Sequence, residues 1–220
     1  MDALPTPSGL PPIHHPCASA AYEWLASLGP MQRIMNPLRE EVAGQVSGHV
    51  LEIGAGSGRN FPYYSPERVE RVEAIEPDTT MLRYARKRLT EARVPIRLVQ
   101  ARACALPFVD ASFESAVATL VFCSVEEPQR ALRELLRVLK PGGSLLLVEH
   151  VRSHRRLVAR LQDMLVPLTT RLAGNCHWNR DTEQQVSESG FVIRSVHRLG
   201  RAILPIIVLH AIRPEAQKSP

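Results

Sequence analysis

A chain of 220 residues, 45% hydrophobic and 22% charged, has the size and balance of one globular domain with a substantial core. No apolar stretch approaches the roughly 20 residues that cross a bilayer, and four irregularly spaced cysteines read as neither a disulfide framework nor a metal knuckle. The net charge of +5 would suit a nucleic-acid partner. However, the basic runs at 83–88 and 152–160 read as solvated helix faces, and aromatics at 5% offer few platforms for stacked bases.

The proline-rich start, residues 1–16, lacks periodicity and is expected to be disordered or loosely packed. It has no basic start followed by an apolar run, so no secretion signal and a cytoplasmic setting are expected. A single domain is expected from 17 to 220. Apolar residues recur at helical spacing over 18–28 and 31–46, with Gly29-Pro30 as the break between two helices.

Strands and helices then alternate. The first strand, 49–53, leads into a helix starting near Ser57. The second, 69–75, precedes a helix over 79–92 with Asp78 as its N-cap. Strands follow at 96–100 and 113–119, then a helix over 127–139 stopped by Lys140-Pro-Gly-Gly143. A nearly all-apolar strand at 144–149 fits a strand covered on both faces. A long amphipathic helix over 155–172, kinked or broken at Pro167, carries Leu157, Leu161, Met164, Leu165 and Leu168 on one stripe and Arg156 and Arg160 opposite. It reads first as a lid or core helix, and second as an interfacial surface for lipid. A helix over 180–189 and two strands, 191–198 and 203–212, close the chain, the strands near enough to pair antiparallel. Alternating units predict a mostly parallel sheet.

The most informative stretch is Val50-Leu-Glu-Ile-Gly-Ala-Gly-Ser-Gly58, followed by Ala74-Ile-Glu-Pro-Asp78. Glycine serves where a backbone turns tightly or must let a ligand approach, and an acid at the tip of the next strand can accept from both ribose hydroxyls. A nucleoside crevice follows. A dinucleotide fingerprint needs G-x-G-x-x-G, and Arg59 occupies the third glycine's place.

These segments, with Leu106-Pro-Phe108, Asp110, Ser112-Phe-Glu114 and Arg137-Val-Leu-Lys-Pro-Gly-Gly143, resemble successive motifs of class I methyltransferases that use S-adenosylmethionine (SAM), especially the ubiquinone and menaquinone biosynthesis type. The likeness covers residues 42–212. Gly58-Arg-Asn-Phe61, Thr119-Leu-Val-Phe-Cys-Ser-Val125, Val148-Glu-His-Val151 and Gly174-Asn-Cys-His-Trp-Asn-Arg-Asp181 are closer still to animal methyltransferase-like proteins that methylate alkyl thiols. Those carry an N-terminal membrane anchor, which is not recognised here. The resemblance implies a Rossmann-like α/β fold: seven strands, mixed, mostly parallel with an antiparallel last strand, helices on both faces and helices preceding the sheet. It implies SAM as cofactor and S-adenosylhomocysteine as product.

Carried over, the resemblance places Gly54, Ala55, Gly56 and Gly58 along the methionyl and ribose part of SAM. Glu52 orients the loop or the methionyl ammonium, Glu76 takes the ribose hydroxyls, and Pro77 and Met81 pack on adenine. The family often has an Asp where this chain has Arg102. Arginine offers only donors, so adenine falls to the Ala103 and Cys104 backbone or Arg102 turns away. Thr119 and Leu120 lie beside the amino-acid moiety.

Methyl transfer from a sulfonium asks the protein for alignment, exclusion of water and a nucleophile in the right protonation state. His150, after the fifth strand, is the candidate base, since an ordinary imidazole titrates near neutrality. Cys123, Cys176 and Trp178 join it as candidate acceptor-site residues. No metal is expected, because no pair has ligand spacing. A small-molecule thiol is the first acceptor. A quinone precursor, a phospholipid headgroup, or arsenite held by Cys104, Cys123 and Cys176 are alternatives, and a SAM-binding regulatory module is the non-enzyme reading. No nucleic-acid partner is expected, peripheral membrane contact is a secondary reading, and nothing in the sequence speaks to oligomeric state.

Overall fold

A computed structural model of the chain describes residues 16–172, 175–200 and 204–215. The expected loose segment before Pro16, Gly174 and residue 203 lie outside them. Seven strands, β1 (Gly48–Ile53), β2 (Val69–Ile75), β3 (Ile96–Val99), β4 (Phe113–Thr119), β5 (Leu139–His150), β6 (Val192–Leu199) and β7 (Ile206–Ile212), form one sheet in the order β3-β2-β1-β4-β5-β7-β6. Neighbours from β3 to β5 pair parallel, and β7 runs antiparallel to both β5 and β6. The expected mixed, mostly parallel sheet is therefore present.

The central strands are apolar on both faces because helices cover both. On one face Leu51, Ile53 and Leu147 pack with Leu132, Leu135 and Val138 of α4 (Pro128–Val138) and Val186 of α6 (Thr182–Glu188). On the other, Val50, Val117 and Leu146 pack with Met35, Leu38 and Val42 of α2 (Gly29–Ala43) and Leu82 and Ala85 of α3 (Thr79–Arg88). Winding reverses between β1 and β4, so a crevice opens beyond the carboxyl ends of those strands.

Several sequence expectations are corrected. No α-helix begins at Ser57: turns and one 3-10 turn, Phe61–Tyr63, occupy the stretch between β1 and β2. Pro62 and Pro66 remove the amide donors that a longer helix needs there. The N-terminal break is Leu28 alone, with extended backbone, and Gly29-Pro30 open α2, where proline in the first turn costs no hydrogen bond. The fifth strand begins at Leu139 and takes in Lys140–Gly143 as an irregularity opposite Phe113–Ser115. α5 (Arg156–Leu172) runs unbroken through Pro167. Its apolar stripe is not core: Leu157, Leu161, Met164 and Leu168 are exposed, while Ala159, Gln162 and Thr169 on the opposite side are buried. Asp78 caps α3 as expected, accepting from the Thr80 and Met81 amides.

Candidate functional site

The glycine turn leaves β1 and is pinned to β2 by the Ala55 amide donating to the Ile75 carbonyl at 2.9 Å. Gly54 has φ of +61°, and a Cβ there would lie 2.7 Å from Val121 Cγ2, so both conformation and packing demand glycine. Gly56, at φ +55°, is different: no side-chain atom lies within 4 Å of its would-be Cβ. No side chain crowds that face of its main chain.

Glu76 ends β2 turned toward this turn. Its carboxylate accepts from the Gly56 amide and from the Asp78 amide, each at 2.9 Å. Burial pushes its pKa up to about 7, against the pull of those two N–H groups. Glu52, buried beneath the turn, accepts from the Tyr64 hydroxyl at 2.8 Å and the Asn60 amide at 3.0 Å. Burial lifts it too to about 7, with those hydrogen bonds and Arg39 opposing. Asn60 also donates to Thr119 Oγ1 at 3.1 Å, joining the turn to the end of β4.

The helix expected over 18–28 is present as α1 (Pro16–Ser27), and it lies over the turn, a placement that periodicity did not indicate. Its Ser19 donates to Asp78, and Glu23 is paired with Arg59 at 2.8 Å and with Arg88. Tyr22 of α1 and Arg39 of α2 line the crevice with Glu52, Gly54, Gly56, Arg59 and Asn60, leaving about 30 Å³ between them. That is room for little more than a water molecule.

The other side of the crevice is built from loops after β4 and β5. Leu120 adopts φ of +58° and donates to the Val148 carbonyl at 2.7 Å. Glu149, also missed in the sequence, is wholly buried and accepts from the amides of Val121, Phe122 and Cys123. Its pKa rises to about 7 through burial. Arg180 clamps the same loop by donating to the carbonyls of Phe122 and Val125. The 175–180 loop docks on it: the His177 amide donates to the Cys123 carbonyl at 2.7 Å, and Asn175 donates to the Ser124 carbonyl at 2.9 Å.

This docking brings Cys123, His150 and Cys176 together, with their donor atoms all within 4.8 Å of one another. The Cys176 thiol is held down at about 5 by a hydrogen bond from Cys123, with His150 adding to the effect against burial; the Cys123 thiol is pushed up correspondingly. The three were grouped as acceptor-site residues from the sequence, but spacing could not show that their donor atoms meet, because they come from the loop after β4, the end of β5 and the 175–180 loop.

The remaining predicted residues are spread along the crevice and beyond it. Pro77 and Met81 are half-buried beside Asp78, and Ala103 is buried. Arg102 pairs with Glu126 at 3.3 Å. Cys104 lines a separate surface groove of about 510 Å³ with Arg130, Arg133 and Glu134. A three-thiol arsenite site made with Cys104 is thereby corrected: His150, not Cys104, is the third member of the cluster. Trp178 is half-buried in the docked loop, its carbonyl accepting from Gln162 at 3.2 Å.

Known proteins were compared with this arrangement. Residues 51–147 match the family model described as "Methyltransferase domain". The chain is 30% identical over 174 residues to the thiol S-methyltransferase TMT1B of Homo sapiens, covering 72% of this chain and 69% of that protein. The chain belongs to the SAM-dependent methyltransferases. Phosphatidylethanolamine N-methyltransferase of Cereibacter sphaeroides is another relative, 33% identical over 136 residues, covering 61% of this chain and 64% of that protein. The chain spans 59% to 69% of the length of the thiol S-methyltransferases it matches. A SAM-dependent methyltransferase from Aquifex aeolicus shares the fold, with a TM-score of 0.66 at 17% identity over 88% of this chain and 97% of that one.

SAM is the cofactor of this methyltransferase family, and the crevice suits it chemically. Gly56 offers bare main chain, Glu76 a carboxylate, and two buried polar atoms beside the turn, Arg59 Nε and Asn60 Oδ1, lack a protein partner. The space beneath Tyr22 is small, so α1 is expected to shift if SAM enters here. Glu23→Ala, which cuts both ion pairs holding α1, is expected to speed SAM association about two- to fivefold in stopped-flow fluorescence. An unchanged rate would show that α1 is not the gate.

Proposed function

We propose that this methyltransferase transfers a methyl group from SAM to a small-molecule thiol. The observation that carries the reading is the convergence of two thiols and an imidazole where the 175–180 loop docks on the ends of β4 and β5, in the loop whose Val121 packs against Gly54. The hydrogen bond from Cys123, with His150 beside it, holds the Cys176 thiol down and so favours its anion. An imidazole beside these thiols would serve an acceptor sulfur, which unaided is only a few per cent thiolate at neutral pH. The relatives named as thiol S-methyltransferases support the same acceptor class.

When bound, SAM supplies a methyl carbon activated by the adjoining sulfonium. The protein's part is placement and proton handling. Glu76 would accept from the ribose hydroxyls, and Gly54, Ala55, Gly56 and Gly58 would give close main-chain approach. Glu52, through Asn60 and Tyr64, holds the loop at the amino-acid end, beside Thr119 and Leu120. Pro77 and Met81 would flank adenine, and the main chain of Ala103 and Cys104 would hold its edge. Arg102 stays with Glu126. His150 takes the acceptor's proton, and Cys123, Cys176 and Trp178 border the acceptor.

The decisive assay is a turnover screen of alkyl thiols, phenols, phospholipid headgroups and arsenite, read as S-adenosylhomocysteine release. Alkyl thiols are expected to lead. SAM binding without turnover on any acceptor would leave the regulatory reading. A phospholipid acceptor is the second reading, favoured by the exposed apolar face of α5 beside Arg156 and Arg160. His150→Ala is expected to lower kcat roughly a hundredfold with SAM affinity nearly unchanged. An unaltered pH–rate profile in that variant would count against a proton-accepting role.

A further inference from the structure

The cluster at the acceptor side contains chemistry that methyl transfer alone does not need. Two cysteines and a histidine, drawn from loops far apart in the chain, converge with all donor atoms within 4.8 Å of one another. We propose that Cys123, Cys176 and His150 form a binding site for a soft divalent cation of the zinc type, with one coordination position left for the acceptor's sulfur. The second half of this proposal rests on the thiol reading above; the first half does not.

Zinc takes sulfur at about 2.3 Å and imidazole nitrogen at about 2.0–2.1 Å in tetrahedral geometry. Its ligand atoms therefore lie roughly 3.3–3.8 Å apart, a distance that small side-chain rotations reach from the arrangement seen here. The donor set also selects the ion. Thiolate and imidazole suit zinc, whereas magnesium and calcium require oxygen ligands, and no carboxylate belongs to this cluster. Three protein ligands with a fourth place open is the pattern of catalytic rather than structural zinc sites.

The supporting shell is already in place, as a metal site requires. Glu149 pins the Cys123 amide, and the His177 amide binds the Cys123 carbonyl. Thr169 donates to the Cys176 carbonyl at 2.9 Å, and Asn175, at φ +65°, ties the same loop to Ser124. Cys123 is buried, while His150 and Cys176 are half-buried and within reach of solvent. An ion therefore has a way in.

In this arrangement an acceptor R–SH displaces solvent from the fourth position and its proton leaves to water. The new S–CH3 bond forms as the methyl carbon's bond to the sulfonium sulfur breaks, and the electron pair of that bond stays on the sulfur of S-adenosylhomocysteine. The neutral thioether product, a weaker ligand, then gives way to solvent. His150 acts here as a ligand, so loss of activity in His150→Ala does not separate the two roles. Metal content does.

The test uses the full chain, reduced and stripped of metal, titrated with Zn2+ against a chromophoric chelator and with Co2+ by absorption spectroscopy. One equivalent is expected, with thiolate-to-cobalt charge transfer and tetrahedral ligand-field bands. Cys176→Ser, in the half-buried loop, is expected to lose about half of the charge-transfer intensity and to weaken zinc binding roughly tenfold or more. His150→Ala should keep the charge transfer while weakening binding, and Cys17→Ser should leave the cobalt spectrum and the metal affinity unchanged. Cys176→Ser carries the proposal if Cys123→Ser, in the core, fails to fold. Binding below one equivalent, a cobalt spectrum indifferent to Cys176→Ser, or a Cys123–Cys176 disulfide that excludes cobalt would overturn the site. SAM affinity and thiol turnover are measured on the same samples. One bound metal with no thiol turnover, or with turnover unaffected by its chelation, overturns only the acceptor half. Failure to bind SAM strikes the methyltransferase reading instead.

Discussion

Glu76→Ala is expected to weaken SAM binding by about a hundredfold or more. The carboxylate would accept from two ribose hydroxyls, and hydrogen bonds to a charged group are worth about 1.5–3 kcal/mol each. Losing them costs roughly 3 kcal/mol or more, and each 1.4 kcal/mol is tenfold in affinity. The alanine would also release the Gly56 and Asp78 amides, which now share that carboxylate. The turn would loosen as the sugar lost its partner. Glu76→Gln keeps one acceptor oxygen and should fall between alanine and the parent chain. Calorimetry checks the affinities, and a thermal melt of each variant without ligand separates loss of the site from loss of the fold. An unchanged dissociation constant in Glu76→Ala would remove the ribose assignment.

The protein without ligand is expected to be more stable at pH 5.5 than at pH 7.5. Glu52, Glu76 and Glu149 are each raised to about 7 by burial, from an ordinary value of 4.5. Below 4.5 both folded and unfolded chains hold these protons. Between 4.5 and 7 the unfolded chain releases them and the folded chain keeps them, so stability falls as pH rises through that window and levels off above it. Each group can account for about 2 kcal/mol between pH 7.5 and 5.5. His49 and His210, lowered by burial, oppose this as the pH falls below 6.5. Glu23, Glu114 and Glu134, held low, lose their contribution only as pH drops below about 4.5. The Cys176 thiol, held down at about 5, also opposes it, because between 5 and 9 only the unfolded chain keeps that proton; three strongly shifted carboxyls outweigh this one thiol and two imidazoles.

SAM affinity should move the other way. The ribose hydroxyls are donors to a charged Glu76, so binding weakens as pH falls through about 7. Thermal melts across this range test the first trend, and Glu149→Gln should flatten the slope whatever it does to the absolute melting point. A ligand-free protein that gains stability from pH 5.5 to 7.5 would sink the argument.

The cofactor half of the crevice was legible because its signal is local. Strand, glycine turn and strand-end acid follow one another within Val50 to Asp78, and their order alone places Glu76 against Gly56. The parallel sheet was legible for a similar reason, since β2 and β4 had the bounds their apolar patterning predicts. The helix expected from Ser57 does not form because Pro62 and Pro66 lack the amide donors it would need. The α5 stripe was legible as a pattern but not as a location: a helix can turn its apolar side outward when Ala159, Gln162 and Thr169 fill the inner contacts.

What the amino-acid order determined by itself is the fold class, the glycine turn and the acid that faces it. Each depends on residues near one another along the chain, where backbone preference and hydrophobic period act directly. Only the tertiary structure decided that α1 closes over the turn, that Glu149 and Arg180 clamp the loop after β4, and that Cys123, His150 and Cys176 meet. Those contacts join loops separated by whole strands and helices. Their geometry is set by sheet order and packing, which no local spacing records.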